Sequence, residues 1–170
     1  MEDHPEIGQH VTDPRTFEYD ASEVEVKDSP ASADTQSGEI GVQLTARDFV
    51  GTVNWRWNNE VTWSFDKSTG EIEGTPKQES FFTDISPFHS VKGTGVTDKI
   101  SQKNEASDDQ AELWELRRMD HIALEIPNLG VVWNSYPETT IEVDGSGQWA
   151  AQLLLNGDYI DGSGGDESNP

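Results

Sequence analysis

The sequence predicts an all-β fold, an antiparallel β-sandwich or jelly roll with one short helix and an extended arm at each end. Apolar and polar residues alternate along short segments, as they do in strands with one buried face. Turn-forming residues separate about eight or nine such segments, which is the spacing of small sandwiches and barrels. One segment alone has the form of a helix, so the chain is expected to be built almost wholly from strands.

The most informative segment carries four large aromatic residues. Trp55 and Trp57 are two residues apart, so on an extended chain they lie on one face of a sheet. Trp63 and Phe65 repeat this pattern after a break predicted at residues 58–59. We interpret all four as core or subunit-contact residues.

The residues that follow predict a tight hairpin. The stretch from Asp66 to Gly70 reads as its loop, because glycine readily takes the positive φ that closes such loops, and residues 71–73 return as a short strand. The motif from Phe65 to Pro76 resembles a turn common in immunoglobulin-like repeats of surface proteins. That resemblance implies a sandwich and no activity.

The remaining elements are assigned from alternation and turn chemistry. The apolar strand at residues 148–155, with Trp149, is expected to be central, while Phe81 and Phe82 fall in a loop-rich segment. A capping-box pattern at residues 107–110 predicts a helix over residues 111–118 that includes Trp114, and a strand through Trp114 and Leu116 is the alternative. Further strands are predicted at residues 23–27, 39–46, 96–100, 122–126, 131–133 and 139–143.

The domain organisation is predicted to be one domain with two extensions. Residues 1–21 form an N-terminal arm, residues 22–160 the β-sandwich, and residues 161–170 an acidic Gly/Ser-rich tail. A length of 170 residues is enough for one sizeable core. The N-terminal residues lack a basic region followed by an apolar one, so no secretory signal is expected.

The charge balance is extreme. Acidic residues outnumber basic ones 33 to 11, which gives a net charge of −22, and apolar residues make up 32% of the chain. Disorder and a salt-adapted acidic surface both produce such a composition, and the aromatic residues favour the folded alternative. The composition resembles that of proteins from extremely halophilic archaea and their viruses. Neither nucleic acid contact through a basic patch nor a membrane surface is expected.

Motifs for catalysis are lacking. The chain has no cysteine, no nucleophile elbow and no phosphate-binding glycine loop, so neither an enzyme nor a cofactor is expected. The stretch Met119–Leu129 resembles the opening strand of the vicinal-oxygen-chelate family, in which the histidine, here His121, would be a metal ligand. That family requires a helix after this strand, whereas the chain continues with turn and strand residues.

These observations together predict a non-enzymatic virion structural subunit of a haloarchaeal tailed virus, made in the host cytoplasm and located in the virion. Its expected partners are copies of itself and other virion proteins. A capsid-surface decoration or turret protein is the first interpretation, and a tail-tube or head–tail connector subunit is the second. The third is a carbohydrate-binding sandwich that presents tryptophans to a surface glycan. The residues assigned to core or subunit contact are Trp55, Trp57, Trp63, Phe65, Phe81, Phe82, Trp114 and Trp149, with Trp55, Trp57 and Trp63 as the glycan platform.

Overall fold

The computed structural model describes residues 18–28, 35–48 and 50–166, with side chains for residues 35–48 and 50–160. Of the predicted arm, residues 1–17 lie outside the described residues, and residues 18–21 belong to a strand. Of the predicted tail, residues 161–166 continue a strand, and residues 167–170 lie outside the described residues. Paired strands therefore extend past both predicted domain boundaries.

The first sheet contains five antiparallel strands. Its order is β1-β2-β3-β4, and β5 pairs with β3 beside β4. The central strand β3 is therefore flanked along most of its length by β2 on one side and by β4 or β5 on the other. The strands are β1 (Glu18–Asp28), β2 (Thr35–Arg47), β3 (Val53–Asp66), β4 (Glu71–Ile72) and β5 (Lys77–Thr83).

The second sheet contains six antiparallel strands in the order β11-β10-β9-β7-β6, and β8 pairs with β7. Strands β8 and β9 follow each other along the same side of β7, separated only by Tyr136. The strands are β6 (His89–Asn104), β7 (Leu113–Ile126), β8 (Gly130–Ser135), β9 (Pro137–Asp144), β10 (Gln148–Leu155) and β11 (Asp158–Asp166).

The two sheets share one apolar core, so the predicted all-β sandwich is confirmed. Pairing occurs mainly between strands that are close in sequence, which makes the fold two meanders rather than a jelly roll. Alternation along each strand sends every second side chain into the core. The largest fully buried side chains come from both sheets: Trp55, Trp57, Phe65, Ile40, Leu44, Leu116, Ile122, Ile141, Leu153, Val42, Val61 and Val143.

The helix predicted over residues 111–118 is wrong. Residues from Leu113 onward form β7, in which Trp114 lies opposite Val143 and Leu116 lies opposite Ile141. Cross-strand pairing buries Leu116 completely, and this burial outweighs the local capping signal. The described residues contain no helix.

Two smaller predictions are also wrong. Strand β3 runs through residues 58–59 without a break, because the buried Asn59 amide donates a hydrogen bond to Thr139 Oγ1 in the opposite sheet. Phe81 and Phe82 lie in β5 rather than in a loop, paired with Asn58 and with a core residue of β3. Both errors come from reading polar residues next to apolar ones as breaks, whereas β3 and β5 continue through them as a paired ladder.

The hairpin turn after β3 is confirmed and closes one end of the sandwich. Gly70 has a φ of 71°. The Glu112 amide donates to the Gly70 carbonyl oxygen at 2.8 Å, and the Gly145 amide donates to the Glu112 carbonyl oxygen at 2.9 Å. A Cβ atom on Gly145 would overlap the Gly70 carbonyl group. The β3–β4 and β9–β10 turns are therefore in direct backbone contact.

A buried carboxylate joins the two sheets near the middle of the sandwich. Asp120 on β7 is completely buried, and its oxygens accept hydrogen bonds from Trp57 Nε1 at 2.7 Å, Ser80 Oγ at 2.5 Å and the Gly95 amide at 2.6 Å. Arg118 Nε lies 3.5 Å away and also donates to Ser80 Oγ. These donors offset the cost of burying the charge, so the cluster fixes how the two sheets face each other.

Candidate interaction surface

Five of the aromatic residues singled out from the sequence lie in the core. Trp55, Trp57 and Phe65 are fully buried, and Trp63 and Trp149 are only 3% and 6% exposed. An aromatic platform for a sugar ring needs an exposed face, and Trp55, Trp57 and Trp63 do not offer one. The glycan interpretation loses the three residues on which it depended.

The other three aromatic residues are less buried. The Phe82 ring packs edge-on against Trp55, with ring centroids 5.9 Å apart. Trp114 is half-buried and donates from Nε1 to Glu112 Oε1 at 2.7 Å. Phe81 is 41% exposed and lies opposite Asn58, on the face of the first sheet that points away from the core.

The most concentrated exposed apolar segment lies on β8, which the sequence-based selection of contact residues omitted. We call residues 129–133 the β8 edge. Leu129, Val131 and Val132 are 49%, 47% and 37% exposed, and Trp133 is 52% exposed. A signal for this surface was present in the sequence, because residues 126–137 carry no charge in a chain of net charge −22.

Among the described strands, none covers the outer side of the β8 edge, because the pairing of β9 with β10 ends early. Pairing between β9 and β10 stops at Pro137 and Leu155. Two hydrogen bonds between Asn156 and Tyr136 then close the ladder. The Asn156 backbone amide donates to the Tyr136 carbonyl oxygen at 3.1 Å, and the Tyr136 backbone amide donates to Asn156 Oδ1 at 2.8 Å. Strand β8 lies beyond this point and pairs with β7 alone among the described strands.

Side chains on β7 hold β8 in place. The His121 ring stacks on Tyr136 with centroids 4.4 Å apart, and its Nε2 is hydrogen-bonded to Asn134 Oδ1 at 2.8 Å. Trp133 lies opposite Leu124 in the same ladder. His121 thus contacts two neutral side chains, and the described residues contain no group of three or more His, Cys, Asp or Glu side chains that could hold a metal ion.

The charge nearest to the β8 edge is already paired. Glu125 lies opposite Val131, and its carboxylate accepts hydrogen bonds from Lys92 Nζ and from Ser90 Oγ, the latter at 2.7 Å. The Lys92 hydrogen bond, followed by that of Ser90, lowers the pKa of Glu125 below its usual value. The edge is therefore apolar and bordered by a carboxylate that is ion-paired with Lys92.

Two open clefts elsewhere on the surface are polar. One, of about 370 Å³, is lined by Ser37, Thr62, Trp63, Ser64, Glu73, Thr75 and Lys77. The other, of about 450 Å³, is lined by Ser68, Thr69, Glu71, Ala106, Ser107 and Asp108. Small-molecule sites are usually mainly apolar with a few converging polar groups, and neither cleft has this character. The β8 edge is the better candidate for a functional surface.

Comparisons of the chain with protein-family models, with curated proteins and with solved structures gave no match. In the part of the chain that the structure describes, no helix has the length and apolar character to cross a membrane. The β8 edge is therefore the feature of this protein from which a function is inferred.

Proposed function

We propose that this protein is a non-enzymatic structural subunit of a virion, made in the cytoplasm of a halophilic archaeal host of a tailed virus. The single observation that carries the proposal is an uncharged, apolar strand edge on the folded domain of a chain whose net charge is −22. Such a charge keeps a domain soluble at high salt, where repulsion is screened. An apolar edge in that setting is suited to contact with another protein.

The proposed position is on the capsid surface, as a decoration or turret protein. A surface position exposes the domain to the surrounding salt, for which its acidic residues are suited. A tail-tube or head–tail connector subunit is the second position, because an acidic lining would let DNA pass without binding its phosphates. Probing intact particles with an antibody against this chain separates the two, since only a surface protein would be labelled.

The test of the proposal is the behaviour of the purified protein as salt is lowered. We expect an assembly larger than a monomer by light scattering in molar potassium chloride. On dialysis to low salt, we expect the β-sheet circular dichroism signal to be lost as carboxylate repulsion becomes unscreened. A fold that is equally stable with and without salt would contradict salt adaptation, and a monomer at every concentration would contradict a self-assembling subunit.

A further inference from the structure

The edge strands of the two sheets differ in charge, and β8 is the exception. Exposed edges invite pairing with other chains, and proteins commonly block this with charged residues, proline or bulges. Each of the other edge strands, β1, β4, β5, β6 and β11, contains charged residues, whereas Gly130–Ser135 contains none. Strand β8 is therefore the one described edge on which charge does not oppose strand pairing.

The hydrogen-bonding groups of β8 suit a partner in antiparallel orientation. On the side away from β7, the strand has no partner among the described strands. An antiparallel pair of identical strands is self-complementary, because a twofold axis exchanges the donors and acceptors of the two edges. The ladder between β7 and β8 shifts register at Val132, because Leu124 lies opposite Trp133 and Glu125 opposite Val131. A twofold axis near this irregularity would place Val131 of each copy close to Trp133 of the other, so apolar side chains would meet apolar side chains on either side of Val132.

The charge of the chain restricts where two copies can touch. Each copy carries a net charge of −22, so contact between most surfaces brings carboxylates together. In molar salt the screening length is only about 3 Å, which removes long-range repulsion but not repulsion between charges in direct contact. The uncharged residues 126–137 avoid that repulsion, and the nearest carboxylate, Glu125, is paired with Lys92.

We infer that β8 pairs antiparallel with β8 of a second copy of this chain, extending the second sheet across a twofold axis. Leu129, Val131, Val132 and Trp133 become buried in this contact. The inference rests on the proposed function, since it supplies the self-contact that a structural subunit needs. Backbone hydrogen bonds provide the affinity, and the apolar side chains provide the register.

The test compares single lysine substitutions on and off the edge. Val131→Lys and Trp133→Lys place a charge on the β8 edge, and Val50→Lys places the same charge on another exposed valine, which is 70% exposed in the turn after β2. Each substitution lowers the net negative charge, so weaker association cannot be attributed to greater overall repulsion. We expect the dimer dissociation constant in molar salt to rise about tenfold or more for the two β8 variants and to stay unchanged for Val50→Lys.

Hydrogen exchange on the unmodified protein provides an independent measurement. We expect the amides of residues 130–135 to become more protected as protein concentration rises through the dimer dissociation constant. Three results would overturn the inference. The protection of these amides does not change with concentration, the wild type is a monomer, or folded variants with each β8 substitution still dimerise. A larger assembly that is indifferent to β8 would overturn it while leaving the proposed structural function intact. A wild type that is monomeric alone and pairs through β8 only with a different protein would also overturn it.

Discussion

Strands β3 and β8 both carry tryptophan among apolar and polar residues, yet they place it in opposite environments. In β3, Trp55 and Trp57 are fully buried, whereas Trp133 in β8 is 52% exposed. Strand β3 has neighbours on both sides and the second sheet across the core. Strand β8 has one described neighbour and lies beyond the end of β10. The exposure of a tryptophan is therefore decided by what surrounds its strand, and β3 supports the fold while β8 is available for contact.

The largest expected effect is the loss of a β3 tryptophan. Trp57→Ala removes a buried indole and leaves the buried Asp120 carboxylate without the donor that lies 2.7 Å away. We expect the free energy of unfolding in molar salt to fall by about 3–5 kcal/mol, measured by chemical denaturation. Trp133→Ala is the matched control, and in dilute monomer we expect a change within about 0.5 kcal/mol. Equal losses in both variants would remove the distinction between the two strands.

The next effect concerns the carboxylate on which the β3 indole depends. Asp120→Ala leaves three donors, among them Trp57 Nε1 and the Gly95 amide, without their acceptor. We expect a loss of about 3 kcal/mol in the free energy of unfolding, again by denaturation in molar salt. The control is Asp98→Ala, which removes the half-exposed partner of Arg118 and should cost at most about 1 kcal/mol. A small effect at Asp120 would mean that the polar cluster does not hold the sheets together.

A smaller effect is expected where the turn after β3 meets the β9–β10 turn. Gly145→Ala forces a Cβ atom into the Gly70 carbonyl group, so the backbone must shift. We expect a loss of about 1–3 kcal/mol in the free energy of unfolding. Gly93→Ala is the control, since a Cβ atom there meets only a Val96 methyl group at 3.4 Å. If both variants unfold alike, the contact between the two turns is not a constraint on the fold.

The contrast between β3 and β8 also shows how far the sequence predicts the structure. The alternation of residues correctly predicts that Trp55 and Trp57 share one face of a strand. The conformational freedom of glycine correctly predicts the turn at Gly70. The helix predicted around Trp114 failed because two local patterns compete there, a capping box and the alternation of Trp114 with Leu116. The pairing with β9 that decides between them is remote in sequence. The uncharged run of residues 126–137 is a signal for this surface, but alternation within β8 does not show that Trp133 is exposed. That exposure depends on where β10, a later strand, stops pairing with β9 at Leu155.

The smallest expected effect is a pH response that β3 has and β8 lacks. Asp66 at the end of β3 accepts hydrogen bonds from Ser68 Oγ at 2.6 Å and from the Ser68 amide at 2.8 Å, and these bonds lower the pKa of Asp66 below its usual value. Because the folded-state pKa lies below the unfolded one, this stabilisation is present above the unfolded pKa and is lost as pH falls through the folded pKa. Residues 126–137 around β8 contain no carboxylate, so no side chain of β8 itself titrates in that range, and the carboxylate opposite Val131 belongs to Glu125 of β7. The measurement is an NMR titration of the carboxyl groups in molar salt. We expect the pKa of Asp66 to rise towards its ordinary value in Ser68→Ala. In the matched control Ser90→Ala, we expect the pKa of Asp66 to stay unchanged. An unchanged Asp66 titration in Ser68→Ala would show that the turn hydrogen bonds do not stabilise the end of β3.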